Sequence, residues 1–483
     1  MSVTRRGVLG GLLAGAALPA WGETMRPMPR PSANGGTVAT AIKGAGDLVA
    51  AAKLTGITGY IVADVKTGRV LEQMNADAPV PPASVAKTIT SLFALEKLGA
   101  DHRFTTRVMA VGTVQGRRLT GDLVLAGGGD PTLDSDKLGD LVAALAATGL
   151  REVTGRFLAY AGALPSFDRI TEEQPIQVGY DPGLSGLSLN FNRVNFEWTK
   201  GGATVQMNAR GERFVPVVKM STMDLADRAA PLFSYQKGAG VEDWSVARGA
   251  LGRAGSRWLP VRQVAPYVAE VFQTLCAAQG IALPRAQVVQ DLPAGAVELV
   301  SRQSDDLASI LRVMLRFSTN ITAETMGLAA SGAGSLPASA AVMQAWAQGR
   351  LGLAANFVDH SGLGSVSRVT AGGMMRALLA GDKVADLRGI LRDVGMRDKQ
   401  GKAVQGGPRV IGKSGTLNFV SGLVGFIEPV GGQDLCFAIF SADPARREAV
   451  PMAEREEPAG ERAWVGRAHL LQARLISRWA GMI

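Results

Sequence analysis

Apolar positions over residues 80–99 recur with helical spacing. Val85, Ile89, Leu92, Phe93 and Leu95 fall on one stripe, and Gly99 closes the run. Pro81 and Pro82 come just before it, and a proline pushes its predecessor out of the helical region. An extended segment should therefore end there and a helix begin at once, with Ser84 in the first turn and Lys87 one turn further along the same face. Alternation with period two instead predicts strands at 59–65 and 69–72, joined through a hairpin turn at Lys66-Thr67-Gly68. A first helix is expected within 37–54.

From residue 101 the texture changes. Strands are expected at 119–125, 153–160, 191–198 and 203–207, a helix at 135–148, and short strands and turns continue to about residue 285. Helical spacing returns with Leu307, Ile310, Leu311, Met314 and Leu315, with Ser304 the expected N-cap and Asp305 and Asp306 in the first turn. It breaks at 317–320, resumes through Glu324 and Met326, and reappears at 339–351. Residues 409–419, 421–428 and 434–441 read as neighbouring antiparallel strands. A last helix at 463–479 carries Trp464, Leu471, Leu475 and Trp479 on one face, as expected for a helix packed on a sheet.

Composition narrows this picture. A chain of 483 residues exceeds one compact core, so two or three domains are expected. The N-terminus stands apart from the fold: Arg5-Arg6 form a basic head, residues 7–20 an apolar run too short to span a bilayer, and Ala20-Trp21-Gly22 a small-residue cleavage site. Residues 1–22 are thus an export signal and 23–36 a Pro-rich linker. The Sec and twin-arginine routes are both compatible with this segment, and both lead to a periplasmic protein with no transmembrane segment after cleavage. The net charge of +9 comes from scattered basic residues without interleaved aromatics, which argues against a nucleic-acid partner. Cys276 and Cys436 are compatible with one disulfide or with two buried thiols, and they form no metal-ligand cluster. No cofactor motif is present.

The chemistry rests on Ser84 and Lys87. A hydroxyl with an amine stacked on it, at a helix N-terminus, is a nucleophile beside a base. The spacing alone is weak, since Ser234 and Lys237 repeat it. Only His102, His360 and His469 exist, without a G-x-S-x-G elbow, and His360 lies in the turn-like Asp359-His-Ser-Gly-Leu-Gly364, which suits a structural or exposed residue. Lysine activation is what remains. It calls for polar groups to relay a proton and a cation to meet an acidic substrate end. Ser318-x-Asn320, on a break between two helices, and Lys413-Ser414-Gly415-Thr416, opening an edge strand, supply them. A glycine in that strand lets a substrate backbone approach closely, and strand N–H groups suit an oxyanion hole. Isolated copies (Ser32-Ala-Asn34, Ser188-Leu-Asn190, Lys66-Thr-Gly68) lack the order and setting.

The ordered set S-x-x-K, S-x-N, K-[T/S]-G resembles the penicillin-recognising serine acyltransferases. The gap of about 230 residues between the first two motifs resembles D-alanyl-D-alanine carboxypeptidase/endopeptidases of the penicillin-binding protein 4 type, as do Gly128-Gly-Asp-Pro-Thr-Leu133, Ser318-Thr-Asn-Ile-Thr-Ala-Glu324 and Asp359-His-Ser-Gly-Leu363. The resemblance implies an α+β fold, an antiparallel sheet flanked by helices (β-lactamase/transpeptidase-like), split by a large, mostly β insertion. Residues 37–100 and 296–483 would form the discontinuous catalytic domain and 101–295 the insertion. It further implies catalytic Ser84, Lys87, Ser318, Asn320 and Lys413, substrate-binding Ser414, Gly415 and Thr416, no cofactor, peptidoglycan stem peptides as substrates and β-lactams as covalent inhibitors. Three departures stand out: Ser414 replaces the commoner Thr, His360 and Gly364 interrupt the usual D-G-S-G-L-S, and Ala159-Tyr160 stand where an acidic residue is expected. A serine β-lactamase and a non-catalytic peptidoglycan-binding or penicillin-sensing protein are the competing readings.

Overall fold

A computed structural model describes residues 44–395, 407–429 and 431–481. The export segment, the linker and the start of the helix expected within 37–54 lie outside the described residues. The central element is a six-stranded antiparallel sheet of β1 (Ile57–Asp64), β2 (Val70–Met74), β3 (Arg392–Asp393), β4 (Arg409–Leu417), β5 (Val420–Glu428) and β6 (Leu435–Ala442), in the spatial order β3-β4-β5-β6-β1-β2. The N-terminal β1 therefore lies against the C-terminal β6, with Tyr60 opposite Ile439.

Alternation explains why these strands read as nearly continuous apolar runs. Ile61, Ala63, Cys436, Ala438 and Phe440 face one helical layer, while Tyr60, Val62, Leu435, Phe437 and Ile439 face another. The second layer is α1 (Ala45–Ala52) with the C-terminal helix. The first is α2 (Lys87–Leu98), α3 (Leu307–Phe317), α4 (Asn320–Ser331), α5 (Leu336–Leu351) and α6 (Ala371–Val384). The last helix, α7 (Glu461–Ala480), buries Trp464, Leu471, Leu475 and Trp479, and the Trp479 indole donates to Glu72 at 2.8 Å. No helix among the described residues is long and apolar enough to cross a membrane.

Between α2 and α3 the chain builds a separate core. One sheet starts at Thr105–Gln115 and ends at Val297–Gln303, which pair with each other, and two three-stranded sheets accompany it. Two helices, Ser135–Ala147 and Val264–Ala278, pack in this core. The second falls where short strands and turns were expected. Pro266 in its first turn suggests a break, yet a proline there removes only an N–H that has no helical partner, and Val264, Val268, Val271, Phe272 and Leu275 bury one stripe.

Other expectations need correction. The 153–160 strand divides into Glu152–Val153 and Phe157–Tyr160, because Gly155 packs against the Gly121 carbonyl. Asp306, not Ser304, caps α3, accepting from the Ser309 amide at 2.8 Å; the Ser304 hydroxyl accepts instead from the Phe104 amide, where the two crossings of the chain meet. Cys276 and Cys436 are free thiols in different cores. Ser234 and Lys237 lie on the strand Phe233–Lys237, where a three-residue offset puts them on opposite faces.

Gly327, on α4, shows how tightly the first layer is packed. A Cβ there would stand 2.1 Å from Cγ of the buried His360 ring. Gly327→Ala should therefore lower stability by about 3 kcal/mol, read as a fall in the denaturant midpoint at unchanged slope.

Candidate active site

Ser84 lies in a short 3-10 turn, Ala83–Ala86, and Lys87 is the first residue of α2. The expectation of an α-helical turn at Ser84 fails because Ala83 stands at φ 47°, outside the right-handed region. The turn closes instead through Val85 N–H donating to Pro82 O at 3.2 Å. Gly362, itself at φ 76°, makes room for this kink, since a Cβ on it would be 1.9 Å from the Ala83 carbonyl oxygen.

The Lys87 side chain is fully buried. Its Nζ lies 2.8 Å from Ser84 Oγ, 2.8 Å from Asn320 Oδ1 and 2.9 Å from the Ser361 carbonyl oxygen. Burial pulls the amine down to about 7, with the buried carboxylates of Glu324 and Asp359 offsetting part of that fall. The partners decide what the neutral amine does. Asn320 Oδ1 and the Ser361 carbonyl can only accept, so they take the two N–H groups. The lone pair then faces Ser84 Oγ, the one partner able to donate.

Ser318 and Asn320 come from the break between α3 and α4. Ser318 ends α3 in the left-handed conformation (φ 61°, ψ 36°), which costs a non-glycine residue about 1–2 kcal/mol. Such strain persists where the surroundings enforce it, typically at functional sites. Here it brings Ser318 Oγ to 2.9 Å from Lys413 Nζ. Lys413 is buried too; burial first, then the Lys87 and Arg392 charges, hold its amine well below the usual lysine range.

Lys413 sits in the middle of β4 rather than at the start of a strand. The apolar run begins at Val410, so the site borrows its lysine from within a buried strand. Ser414 Oγ accepts from Arg392 Nη2 at 2.9 Å. Gly415 lies directly over the turn: a Cβ there would be 2.9 Å from Pro82 O and from the Ser84 and Val85 nitrogens. The side chain of Thr416 is exposed. Ser84, Lys87, Ser318, Asn320, Lys413 and Gly415 are thus drawn together from three distant stretches.

The roles of several contributors escaped the sequence reading. Glu324, one turn after Asn320 on α4, is fully buried and accepts from the His360 and Ser361 amides, while Asp359 accepts from Gly362 and Gly364 at 2.6 Å each. Burial holds both carboxyls above their ordinary range, Glu324 at about 8 with the Asp359 charge adding to the rise. These bonds set the 359–364 turn that offers the Ser361 carbonyl to Lys87. An acid inside the apolar stretch Ile321–Leu328 was the available signal. Asn320 Nδ2 also donates to the Tyr180 carbonyl at 2.8 Å, and a backbone oxygen leaves no trace in side-chain patterns. His360 is a buried neutral residue with its ring between Ser339 Oγ and Met343 Sδ, held down to about 3 by burial, and it takes no part in the site. Among the described residues no group of three or more His, Cys, Asp or Glu side chains could hold a metal ion.

The profile of the D-Ala-D-Ala carboxypeptidase 3 (S13) family matches residues 47–459. A carboxypeptidase of Mycobacterium tuberculosis (Rv3627c) is 27% identical over 479 residues, covering 91% of this chain and 90% of the relative. A D-alanyl-D-alanine carboxypeptidase of Actinomadura sp. strain R39 is 41% identical over 103 residues, a match spanning 21% of this chain and 19% of that one. Among solved structures, penicillin-binding protein 4 of Haemophilus influenzae superposes with a TM-score of 0.70 at 19% identity, covering 90% of this chain and 98% of the other. The same protein complexed with a β-lactam gives 0.69. At that identity the likeness establishes the fold, α+β with helices and several sheets.

The contact of Gly415 with the turn yields a direct test. Gly415→Ala should lower stability by about 1–3 kcal/mol and, in the folded protein, slow the reaction of Ser84 with a fluorophosphonate about 100-fold, because strand and turn are forced apart where two N–H groups must converge.

Proposed function

The chain belongs to the D-Ala-D-Ala carboxypeptidase 3 (S13) family, and we propose that it hydrolyses D-alanyl-D-alanine bonds of peptidoglycan, at stem-peptide termini or cross-links, through an acyl-enzyme on Ser84. The observation that carries this reading is the fully buried Lys87 amine, at about 7, 2.8 Å from Ser84 Oγ.

Ser84 Oγ attacks the carbonyl of the penultimate D-alanine while Lys87 Nζ takes its proton, leaving an ammonium with three acceptors around it. The N–H groups of Ser84 and Thr416 receive the oxyanion, each contributing ~3 kcal/mol. Lys413 and Ser318 pass a proton to the departing amine, and Asn320, holding Lys87 through Oδ1, presents its amide to the substrate backbone. Lys413 and Ser414 meet the terminal carboxylate, with the Arg392 guanidinium fixing the Ser414 hydroxyl. Water then attacks the ester and releases the acyl group. Penicillins follow the same first step and acylate Ser84.

The export signal read at 1–22 supports a periplasmic site of action. Residues 37–100 and 296–483 carry the reaction, and 101–295 form the insertion, whose sheet extends to Gln303.

Penicillin treatment should add the mass of the drug to the peptide containing Ser84, and Ser84→Ala should abolish it; an adduct retained in that variant overturns the assignment. Acylation requires neutral Lys87, so the rate should be flat above neutrality and fall about tenfold per unit below pH ~6. Stopped-flow acylation with a chromogenic cephalosporin measures this limb.

A further inference from the structure

A backbone oxygen of the inserted region touches Asn320, one of the partners of the catalytic amine. Residues 167–184 leave and re-enter the insertion side by side, with Phe167 N–H donating to Leu184 O at 3.1 Å and Leu184 N–H to Phe167 O at 2.8 Å. Between those ends the described chain contains no helix or strand, so its backbone polar groups need other partners. Two arginines and one aspartate supply them. Asp181, fully buried, accepts from the Ile170 and Thr171 amides at 2.9 and 3.1 Å and from Arg169 Nη2 at 2.7 Å. Arg169 also donates to the Gln174 carbonyl, and Arg262, itself buried, donates to the carbonyls of Asp168, Ile176 and Asp181. Outside, Ile170 and Leu184 pack on Ile321, Leu328 and Leu363, and Glu173 accepts from the Ser365 amide and hydroxyl at 2.7 Å each. The segment is a stiff strap laid across α4 and the 359–369 turn.

Next to Asp181, the Tyr180 carbonyl accepts from Asn320 Nδ2 at 2.8 Å. A carboxamide can present either end, and only its partners choose. Lys87 Nζ, with its N–H groups directed at acceptors, demands Oδ1; the Tyr180 carbonyl, able only to accept, demands Nδ2. The two demands agree, and together they lock the amide. We propose that Tyr180 is a positioning residue for acyl transfer: the insertion, through the strap held by Asp181, Arg169 and Arg262, fixes the orientation of Asn320 and so the arrangement of acceptors around the Lys87 amine. This rests on the acyl-enzyme reading given above.

The test weakens the strap without touching Ser84, Lys87 or Asn320. Asp181→Asn and Arg169→Met are compared with wild type by second-order penicillin acylation rate against pH, with unfolding curves as a control. Once Asn320 can turn, the protonated amine loses an acceptor and deprotonates more readily. The plateau should fall about tenfold and the acid limb move to lower pH by about half a unit. Folded variants with the wild-type limb, whether or not their plateau drops, overturn the proposal. If neither variant folds, Asn320→Asp decides: amide exchange across 168–182 should quicken when the Nδ2 donor is lost, and unchanged exchange overturns it. That second arm needs no activity. A wild-type chain that takes up no penicillin therefore defeats the acyl-enzyme reading without deciding the coupling between strap and Asn320.

Discussion

A fully buried amine governs the arrangement. A lone ammonium in a dry interior is too costly to keep unless it is paired or gives up its proton. Lys87 meets that constraint from three directions, with acceptors from its own turn, from the start of α4 and from the 359–364 turn. The surrounding backbone is arranged to let them converge. Ala83 kinks the chain into the helix, Gly362 admits the kink, Gly327 admits the ring of His360 beneath the turn, and Ser318 accepts a left-handed conformation. Ala83 and Gly362 shape the turn that sets Ser84 beside this amine, while the conformation of Ser318 serves the neighbouring Lys413.

The buried carboxylates adjust that amine without pairing directly with it. Glu324 and Asp359 spend their oxygens on backbone amides of the 359–364 turn, so their influence on Lys87 acts through space while their bonds set geometry. Lys413 lacks such a counterweight. Burial first, then the charges of Lys87 when it is protonated and of Arg392, favour its neutral amine until an anion arrives to offset them. Two lysines in one cleft thus have different surroundings, one tempered by acids and the other left with cations, in keeping with different duties.

What the sequence disclosed follows from what patterns encode. The helix that starts at Lys87, the paired strands near the C-terminus and the break at Ser318 were legible because apolar spacing acts locally, whereas the 3-10 turn at Ser84 was not. Ser318, Asn320 and Lys413 were legible as side chains in a recognisable order. The contributions that stayed hidden belong to other categories. The carbonyls of Ser361 and Tyr180 serve through the backbone, which every residue shares. Glu324 was legible as the end of the Ser318–Glu324 motif but had no role until burial was known, and the helix Val264–Ala278 was masked by a proline in its first turn. Ser304 was well chosen as a polar residue before a helix, but the hydroxyl was engaged by Phe104 across the chain crossing, a contact between residues 200 positions apart.

The sheet order has a consequence in time. Because β1 lies between β2 and β6, the strand that precedes the nucleophile has an open edge until residues 435–442 exist and fold back. Lys413 arrives only shortly before them in synthesis. Pairings this distant form slowly and late in folding. The site is therefore completed late, and a chain interrupted before residue 413 holds Ser84 and Lys87 without Lys413 and the strand that carries it. Reactivity at Ser84 thus reports that synthesis has passed β6 and that its strand has folded back on β1.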